Sequence, residues 1–348
     1  MATTPQDETP APSPGLTLLT RIVEGWHDPA GRATVLGAAA AAVLLALVFW
    51  RNLFHFGLSW ATDENYSHGF LVPLISLYFA NQAASRPGPA RSEGGAGLGV
   101  ALLVGALLVK LGTVVVSVGT LGDLALVAAI AGVCTLLGGM EALRRYGFAI
   151  GFLLFMIPMP VALYALIASP LQLAVSRLAS VLLNATGVPI LTEGNMMTLP
   201  GGVQMFVAEA CSGMRQLTGF LALTAAVAHL SGRPLWYRGG VVLSAVPVAM
   251  TANVARVVLT GYIMYYVSPT YASGTFHTLE GLLMLGFGLA LLRGLCGALD
   301  LVVELTRPPK EPEPPTPPIA APRGGAIGVV RPSRRVEEVT VGPGGGMR

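Results

Sequence analysis

Long apolar stretches recur along this chain and limit what it can fold into. A helix needs about 20 apolar residues to cross the hydrocarbon core of a bilayer. Stretches close to that length lie at roughly 34–50, 68–82, 96–118, 122–140, 146–168, 214–231, 240–266 and 278–298. Only 11% of the residues are charged, against roughly 25% in an ordinary soluble domain. The sequence therefore predicts an all-α polytopic membrane protein with about eight transmembrane helices.

The two ends of the chain differ in composition from its apolar middle. They are rich in proline and glycine and have few large apolar side chains, so they cannot bury enough surface to offset chain entropy. We expect residues 1–32 to be a disordered cytoplasmic segment, residues 33–300 to form a transmembrane domain, and residues 301–348 to be a disordered cytoplasmic tail. The first apolar stretch lacks the basic region and cleavage site of a signal peptide, so we interpret it as an uncleaved span.

The basic residues predict how the chain is oriented in the membrane. With the N-terminus in the cytoplasm, the inner segments carry most of the positive charge, as the positive-inside rule requires. Those segments contain Arg21, Arg32, Arg86, Arg91, Arg144, Arg145, Arg233, Arg238, Arg293, Arg307 and Lys310. The outer segments contain little more than Arg51 and Arg177. Both termini are then cytoplasmic, and Cys211 and His277 lie at the outer face.

One outer segment, residues 169–212, is long enough to have structure of its own. Polar side chains such as Arg177 and Asn184 share one helical face opposite leucines, which is typical of an interfacial amphipathic helix. Runs of β-favouring residues then alternate with Gly194-Asn195 and Pro200-Gly201, which favour turns. We expect a small extracytoplasmic helix and a hairpin between spans 5 and 6, and this segment leads directly to Cys211.

Three side chains at the edge of a span or inside one can supply thiol chemistry. Cys211, followed by Ser212, precedes the sixth span, where free amide groups and the helix dipole favour a thiolate. Arg256 lies inside the seventh span with Asn253 on the same helical face, and a cation there costs about 2.5–3.5 kcal/mol. If His277 converges with them, the arginine can stabilise an oxyanion and the imidazole can move protons to the leaving group.

Each of these residues also has a purely structural interpretation. A free cysteine is often a buried hydrophobic residue, and His277 alone can be a core or helix-start histidine. For Arg256 the alternative is a structural ion pair, whose acidic partner could be Asp63, Glu64, Glu209 or Glu280.

Other polar residues have structural interpretations as well. The cluster from Asp63 to Gly69 abuts a span, and Ser67 or Asn65 could cap a helix there. The remaining isolated polar residues are interpreted as snorkelling or boundary residues: Lys110, His55 and His229.

The patterns of several other kinds of site are missing from the sequence. It contains no His-Glu-x-x-His zinc motif, no glycine-rich phosphate loop with its lysine and no Gly-x-Ser-x-Gly elbow. We therefore expect no metal, no cofactor and no nucleic-acid partner. The three cysteines have no paired spacing, so no disulfide framework is predicted.

Several motifs in the same order give the chain a specific resemblance. They are Asn65-Tyr66-Ser67-His68-Gly69, Pro158-Met159-Pro160, Glu193-Gly194-Asn195, Glu209-Ala210-Cys211-Ser212-Gly213-Met214-Arg215, Ala252-Asn253-Val254-Ala255-Arg256 and Phe276-His277. With these motifs, residues 60–295 resemble a bacterial exosortase, of the exosortase/archaeosortase family of multispan thiol transpeptidases. The resemblance implies that Cys211 is the nucleophile, Arg256 the essential arginine and His277 the catalytic histidine. We expect supporting or substrate-binding roles for Asn253, Ser212, Glu209, Tyr66 and His68.

The resemblance also implies a function. Exosortases are cysteine peptidases or transpeptidases that recognise a C-terminal sorting signal on exported proteins: a short motif, often Pro-Glu-Pro, then a membrane span and a basic cluster. We expect this signal, membrane lipid and an unknown acceptor nucleophile as partners, with cleavage through a Cys211 thioester at the outer face of the inner membrane. Some members carry an additional exopolysaccharide-associated domain, which is not expected here.

Two other functions stay open at the level of sequence. The first is a transporter or flippase for an extracellular-polysaccharide or lipid precursor, because intramembrane arginine and asparagine also mark substrate paths. The second is a noncatalytic assembly partner that keeps the motifs without turnover.

Overall fold

Helices make up most of the described chain. The computed structural model describes residues 17–86, 94–116, 119–207, 214–268 and 275–306, and the architecture below concerns the unit that ends at Val302. The helices are α1 Thr17–His27, α2 Pro29–Val48, α3 Trp50–Thr62, α4 Leu71–Ala84, α5 Ala96–Val116, α6 Gly119–Phe152, α7 Val161–Ala185, α8 Met214–Leu230, α9 Leu235–Leu243, α10 Ala245–Tyr266 and α11 Thr275–Leu305. Short 3-10 helices lie at Glu64–Phe70 and Leu153–Met156.

Six helical stretches within the described residues are long and apolar enough to cross a membrane. They are Pro29–Val48, Ala96–Val116, Gly119–Met156, Val161–Ala185, Leu235–Tyr266 and Leu279–Leu305. The chain is therefore an all-α multi-pass membrane protein. Two further predicted spans correspond to shorter helices, α4 with 14 residues and α8 with 17, so the count of about eight stays a prediction.

The predicted fourth and fifth spans differ from the helices observed there. α6 runs from one into the other and breaks its helical geometry at Gly139, where φ is 73°. The chain leaves helical structure at Pro158-Met159-Pro160, and α7 begins at Val161. Because proline lacks an amide hydrogen and its ring crowds the preceding turn, the predicted span 146–168 does not continue through this segment. The amphipathic face around Arg177 is therefore the second half of α7 and not a separate helix.

Part of the N-terminal segment that was expected to be disordered is helical. α1 precedes α2, and the Asp28 carboxylate caps α2 by accepting a hydrogen bond from the Gly31 amide at 2.9 Å. The Leu18 amide donates to Asn81 Oδ1 of α4 at 2.9 Å. The apolar residues of α1 recur at helical spacing, and a short amphipathic helix of this kind is not visible in overall composition.

A three-stranded antiparallel sheet lies between α7 and α8, where the sequence predicts a hairpin. Its strands are β1 Leu191–Glu193, β2 Met196–Thr198 and β3 Gln204–Phe206, in the order β1-β2-β3. The sheet packs against α7 and α10 around a buried core that includes Val175, Leu183, Met197, Met205, Val207, Val257 and Met264. Protein therefore covers one side of α10 from Val257 to Met264.

A buried polar network connects α3, α5 and α6. The Asn52 amide donates to Asp123 Oδ1 at 2.7 Å, and the Lys110 ammonium donates to Asn52 Oδ1. Asn52 and Asp123 are buried and Lys110 is half-buried, so this chain of contacts offsets part of the cost of placing the Asp123 carboxylate away from water. The interpretation of Lys110 as an isolated snorkelling residue was wrong. His229 is not isolated either, because its ring stacks on Phe148 with 3.6 Å between centroids.

This network yields a prediction about stability. Lys110→Met would remove the cation that reaches Asp123 through Asn52, and we expect the free energy of unfolding to fall by about 1.5–3 kcal/mol, as for the loss of a hydrogen bond to a charged group. In the double variant Lys110→Met/Asp123→Asn both charges are removed, and most of that loss should be recovered. Equilibrium unfolding in mixed detergent micelles, followed by circular dichroism, measures both values. Equal stability of the single and double variants would contradict the pairing.

Candidate functional site

The middle of α10 carries a row of polar side chains inside an apolar bundle. Asn253 and Arg256 are one turn apart, and Thr260 follows one turn later. Residues three and four positions apart share one face of a helix. All three are buried, with exposed fractions of 3%, 6% and 2%. The row therefore points into the protein and away from lipid.

Glu280 of α11 faces this row. Its Oε2 atom lies 3.9 Å from Arg256 Nε, and its Oε1 atom accepts a hydrogen bond from the Thr260 hydroxyl at 2.5 Å. Glu280 is 5% exposed, so its negative charge offsets the burial of the guanidinium where screening by water is weak. Of the acidic partners that the sequence left open for Arg256, Glu280 is the one in described contact with it.

A glycine flanks the same guanidinium. A β-carbon built on Gly281 would lie 4.0 Å from Arg256 Nη2. The backbone of α11 therefore passes close to the terminal nitrogens, and no side chain at this position fills the space beside them. Glu280 contacts the Nε edge of the guanidinium, and Gly281 lies beside the Nη2 edge.

His277 lies in the first turn of α11. It precedes Glu280 by three residues, so its backbone lies one turn away on the same side of the helix. Its side chain falls outside the part of the structure that is described. The structure thus places the backbone of His277 near the level of the Arg256–Glu280 contact.

Cys211, Glu209 and Ser212 lie outside the described residues, but both ends of their segment are described. At one end, Val207 is fully buried in the core that contains Val257, the neighbour of Arg256. At the other end, Met214 begins α8, which packs against α10. Val207 therefore shares a buried core with the helix that carries Arg256, and the helix that begins at Met214 packs against that same helix.

α8 also contacts two other parts of the site. It packs against the 3-10 helix Glu64–Phe70, which carries Tyr66 and His68. The ring of Phe220 meets α11 at Gly288, where a β-carbon would lie 2.1 Å from the ring. α8 therefore joins three of the elements that bear predicted site residues.

Tyr66 and His68 both contact the segment that precedes α7. The Tyr66 hydroxyl accepts a hydrogen bond from the Met159 amide at 3.1 Å, and His68 lies near the backbone carbonyls of Phe155 and Asn65. Burial raises the pKa of Tyr66, although the hydrogen bond from Met159 acts in the opposite direction. Its phenol is therefore uncharged at neutral pH and can act there as a hydrogen-bond donor or acceptor.

The cap of this 3-10 helix differs from the expected one. Asp63 Oδ1 accepts hydrogen bonds from the backbone and side-chain amides of Asn65, each at 2.9 Å. The Ser67 hydroxyl instead donates to the Glu64 carbonyl at 3.1 Å. A β-carbon on Gly69 would lie 2.2 Å from Trp60 Nε1, so only glycine allows Trp60 to approach. Several residues of this motif therefore have structural roles.

A cavity of about 1000 Å³ lies between α10 and α11 beside the Arg256–Glu280 contact. Its lining is apolar apart from Glu280, and it includes Leu259 and Leu283. Leu279, Leu282 and Leu283 are 61%, 66% and 59% exposed. In a membrane protein, such a surface contacts lipid or another transmembrane helix.

The described residues contain no group of three or more histidine, cysteine, aspartate or glutamate side chains that could hold a metal ion. The ionisable groups described at the site are Arg256 and Glu280, with Asn253 and Thr260 as neutral polar neighbours. A guanidinium of this kind can bind a developing negative charge, and a carboxylate at its Nε edge can orient it.

Comparison with known proteins identifies a family. The family described as transmembrane exosortase matches residues 60–294 of the chain. The matched range includes the 3-10 helix with Tyr66, the sheet, α10 and most of α11. No curated protein and no solved structure matches the chain.

Proposed function

Because this chain belongs to the transmembrane exosortase family, we propose that it is a cysteine peptidase or transpeptidase that cleaves C-terminal sorting signals of exported proteins. The proposal places it in a bacterial inner membrane with cytoplasmic termini and an active site at the outer face. The packing of the elements on both sides of segment 208–213 against α10 carries the proposal. Cys211 follows Val207 by four residues, which span at most about 14 Å, and we propose that its thiol lies beside the polar row of α10.

The first step of the proposed reaction forms a thioester. The Cys211 thiolate attacks the scissile carbonyl carbon of the substrate, and the Arg256 guanidinium donates hydrogen bonds to the oxyanion. One such donor is typically worth about 2.7–4 kcal/mol in the transition state. The peptide C–N bond then breaks, His277 gives a proton to the leaving amine, and the acyl group stays on sulfur.

The second step releases the acyl group. An acceptor amine or water attacks the thioester carbonyl, and His277 takes a proton from the attacking group. The C–S bond breaks and the thiolate is regenerated, so the enzyme ends in its starting state. Asn253, Ser212 and Glu209 are proposed to orient the reacting groups or bind the substrate, and Tyr66 and His68 to support the site through α8.

The position of Arg256 along α10 supports a site near one membrane surface. Irregular backbone is unfavourable in hydrocarbon unless protein covers it, and the small sheet packs on α10 from Val257 to Met264. On the side of α10 that faces the sheet, protein therefore covers the helix beyond Arg256, while Leu259 and Ile263 on another side line the apolar cavity. The apolar cavity between α10 and α11 adjoins this level, which supports lateral access for a transmembrane sorting signal.

The proposal predicts a covalent intermediate. A reporter for the test is an exported soluble domain followed by Pro-Glu-Pro, an apolar span and an arginine cluster. When it is reconstituted with the protein, we expect a shortened reporter and, at early times, a hydroxylamine-sensitive adduct on the Cys211 peptide by mass spectrometry. A reporter that stays full-length, with no adduct on Cys211, would contradict the proposed function.

Spheroplasts of cells that express the protein test the proposed side of the membrane. In a Cys134→Ala/Cys296→Ala background, Cys211 is the one remaining cysteine of the chain. An impermeant maleimide added to spheroplasts should label it from outside, and the further replacement Cys211→Ala should abolish labelling. Labelling that requires access from the cytosol would overturn the outer location.

A further inference from the structure

We propose that Glu280 and Thr260 are positioning residues that hold the Arg256 guanidinium for oxyanion binding. This inference rests on the proposed function, in which Arg256 stabilises the transition state. Thr260 lies on α10 and Glu280 on α11, and neither is among the three residues proposed to carry the chemistry, Cys211, Arg256 and His277. Neither acts on the substrate; both act through Arg256.

The contacts form a short chain across the interface between α10 and α11. The Thr260 hydroxyl donates to Glu280 Oε1 at 2.5 Å, and Glu280 Oε2 lies 3.9 Å from Arg256 Nε. All three residues are buried, and Arg256 is the most exposed of them at 6%. Where water screens little, a carboxylate at this distance strongly favours one placement of a guanidinium over others.

Thr260 is suited to fix the carboxylate. Its hydroxyl lies 3.0 Å from the backbone carbonyl of Arg256, one turn earlier in the same helix. This placement corresponds to one of the two χ1 rotamers that threonine favours in helices, and the single hydroxyl hydrogen goes to the charged carboxylate, which is the stronger acceptor. A stiff β-branched side chain therefore presents the hydroxyl to Glu280 before any substrate binds.

The geometry of the contact also matters for chemistry. Glu280 approaches the Nε edge of Arg256, and Gly281 leaves space beside Nη2. A guanidinium is planar and presents its donors as a rigid fork, so a carboxylate that attracts the Nε side favours one direction for the other donors. A long arginine side chain that is fixed in advance loses less rotamer entropy when the oxyanion forms.

Two substitutions of Thr260 test this inference, and both change the volume of the side chain only slightly. Thr260→Val removes the hydroxyl and keeps the shape, whereas Thr260→Ser keeps the hydroxyl. We expect Thr260→Val to lower the single-turnover rate of reporter cleavage about 3- to 10-fold, with the half-saturating reporter density unchanged. Thr260→Ser should retain most of the rate.

Variants of Glu280 test the stronger contact. Glu280→Gln keeps the size of the side chain but removes its charge, and we expect the cleavage rate to fall about 100-fold with little change in reporter binding. Glu280→Asp keeps the charge and should recover part of that rate. Size-exclusion profiles and thermal unfolding in detergent identify any variant that fails to fold, in which case the Thr260 pair decides.

Specific outcomes would overturn the inference. Equal cleavage rates for Thr260→Val and Thr260→Ser would do so, as would a Glu280→Gln variant that changes reporter binding but not the cleavage rate. Failure of the proposed function looks different, because wild-type protein and Cys211→Ala would then process the reporter equally. If Cys211→Ala is inactive while the Thr260 and Glu280 variants are normal, only the positioning role fails.

Discussion

Cys211→Ala is expected to leave the sorting-signal reporter full-length and anchored in the membrane. In the proposed reaction every product passes through a thioester on this sulfur, and alanine offers no nucleophile. The rate should fall to the small residual rate that binding and oxyanion stabilisation can supply without a nucleophile. The measurement is the ratio of shortened to full-length reporter in membranes from cells that express wild-type or variant protein at equal levels.

The other cysteines provide matched controls. Cys134→Ala and Cys296→Ala change the same residue type at positions in α6 and α11, where both thiols are free, and we expect normal processing. Cys211→Ser should be nearly as inactive as Cys211→Ala, because the proposed reaction starts from a thiolate and a serine hydroxyl is not ionised at neutral pH. Normal processing by Cys211→Ala would favour a noncatalytic partner or a transporter over a peptidase.

The overall architecture follows from a feature that is local in sequence. An apolar stretch of about 20 residues has few stable alternatives to a membrane helix, so the multi-pass fold could be predicted without knowledge of any contact. The ends of the helices were harder to predict where a helix-breaking residue lies inside an apolar stretch. Pro158 and Pro160 end the predicted fifth span early, although the residues on both sides are apolar.

Contacts between helices could not be predicted in the same way. Helical spacing places Asn253 and Thr260 on the face of Arg256, because three- and four-residue intervals bring side chains together within one helix. It cannot choose among four acidic residues on other elements, and the described contact with Glu280 depends on how α10 meets α11. The burial of Arg256 in a span did indicate that some partner was required.

The network of Lys110, Asn52 and Asp123 is a second example of contacts between helices that could not be predicted from the sequence. Each residue was visible as a polar group near an apolar stretch, but they belong to three helices separated by 58 and 71 positions along the chain. A rule that asks where each intramembrane charge finds its partner would have flagged Lys110 and Asp123 together. It would not have identified Asn52 as the amide between them.

Replacement of Arg256 is expected to have the second large effect on the cleavage rate. The test must distinguish a loss of catalysis from a loss of stability. Arg256→Lys keeps a positive charge opposite Glu280 but loses the planar fork of donors. We expect the single-turnover cleavage rate to fall by about 10²- to 10³-fold, with a much smaller loss of thermal stability. Cleavage in proteoliposomes and unfolding in detergent measure the two quantities on the same preparation.

A double variant in which both Arg256 and Glu280 are replaced by neutral residues then decides whether Arg256 is catalytic or only forms a structural ion pair. Arg256→Gln alone leaves the buried Glu280 carboxylate without its cation, and breaking such a pair typically costs about 3–5 kcal/mol. Arg256→Gln/Glu280→Gln removes both charges, so we expect stability to return towards that of the wild type.

If Arg256 stabilises the oxyanion, the double variant is stable and still inactive, because no cation faces the developing charge. If the double variant recovers cleavage together with stability, Arg256 serves only to pair with Glu280, and the oxyanion must be stabilised by other groups.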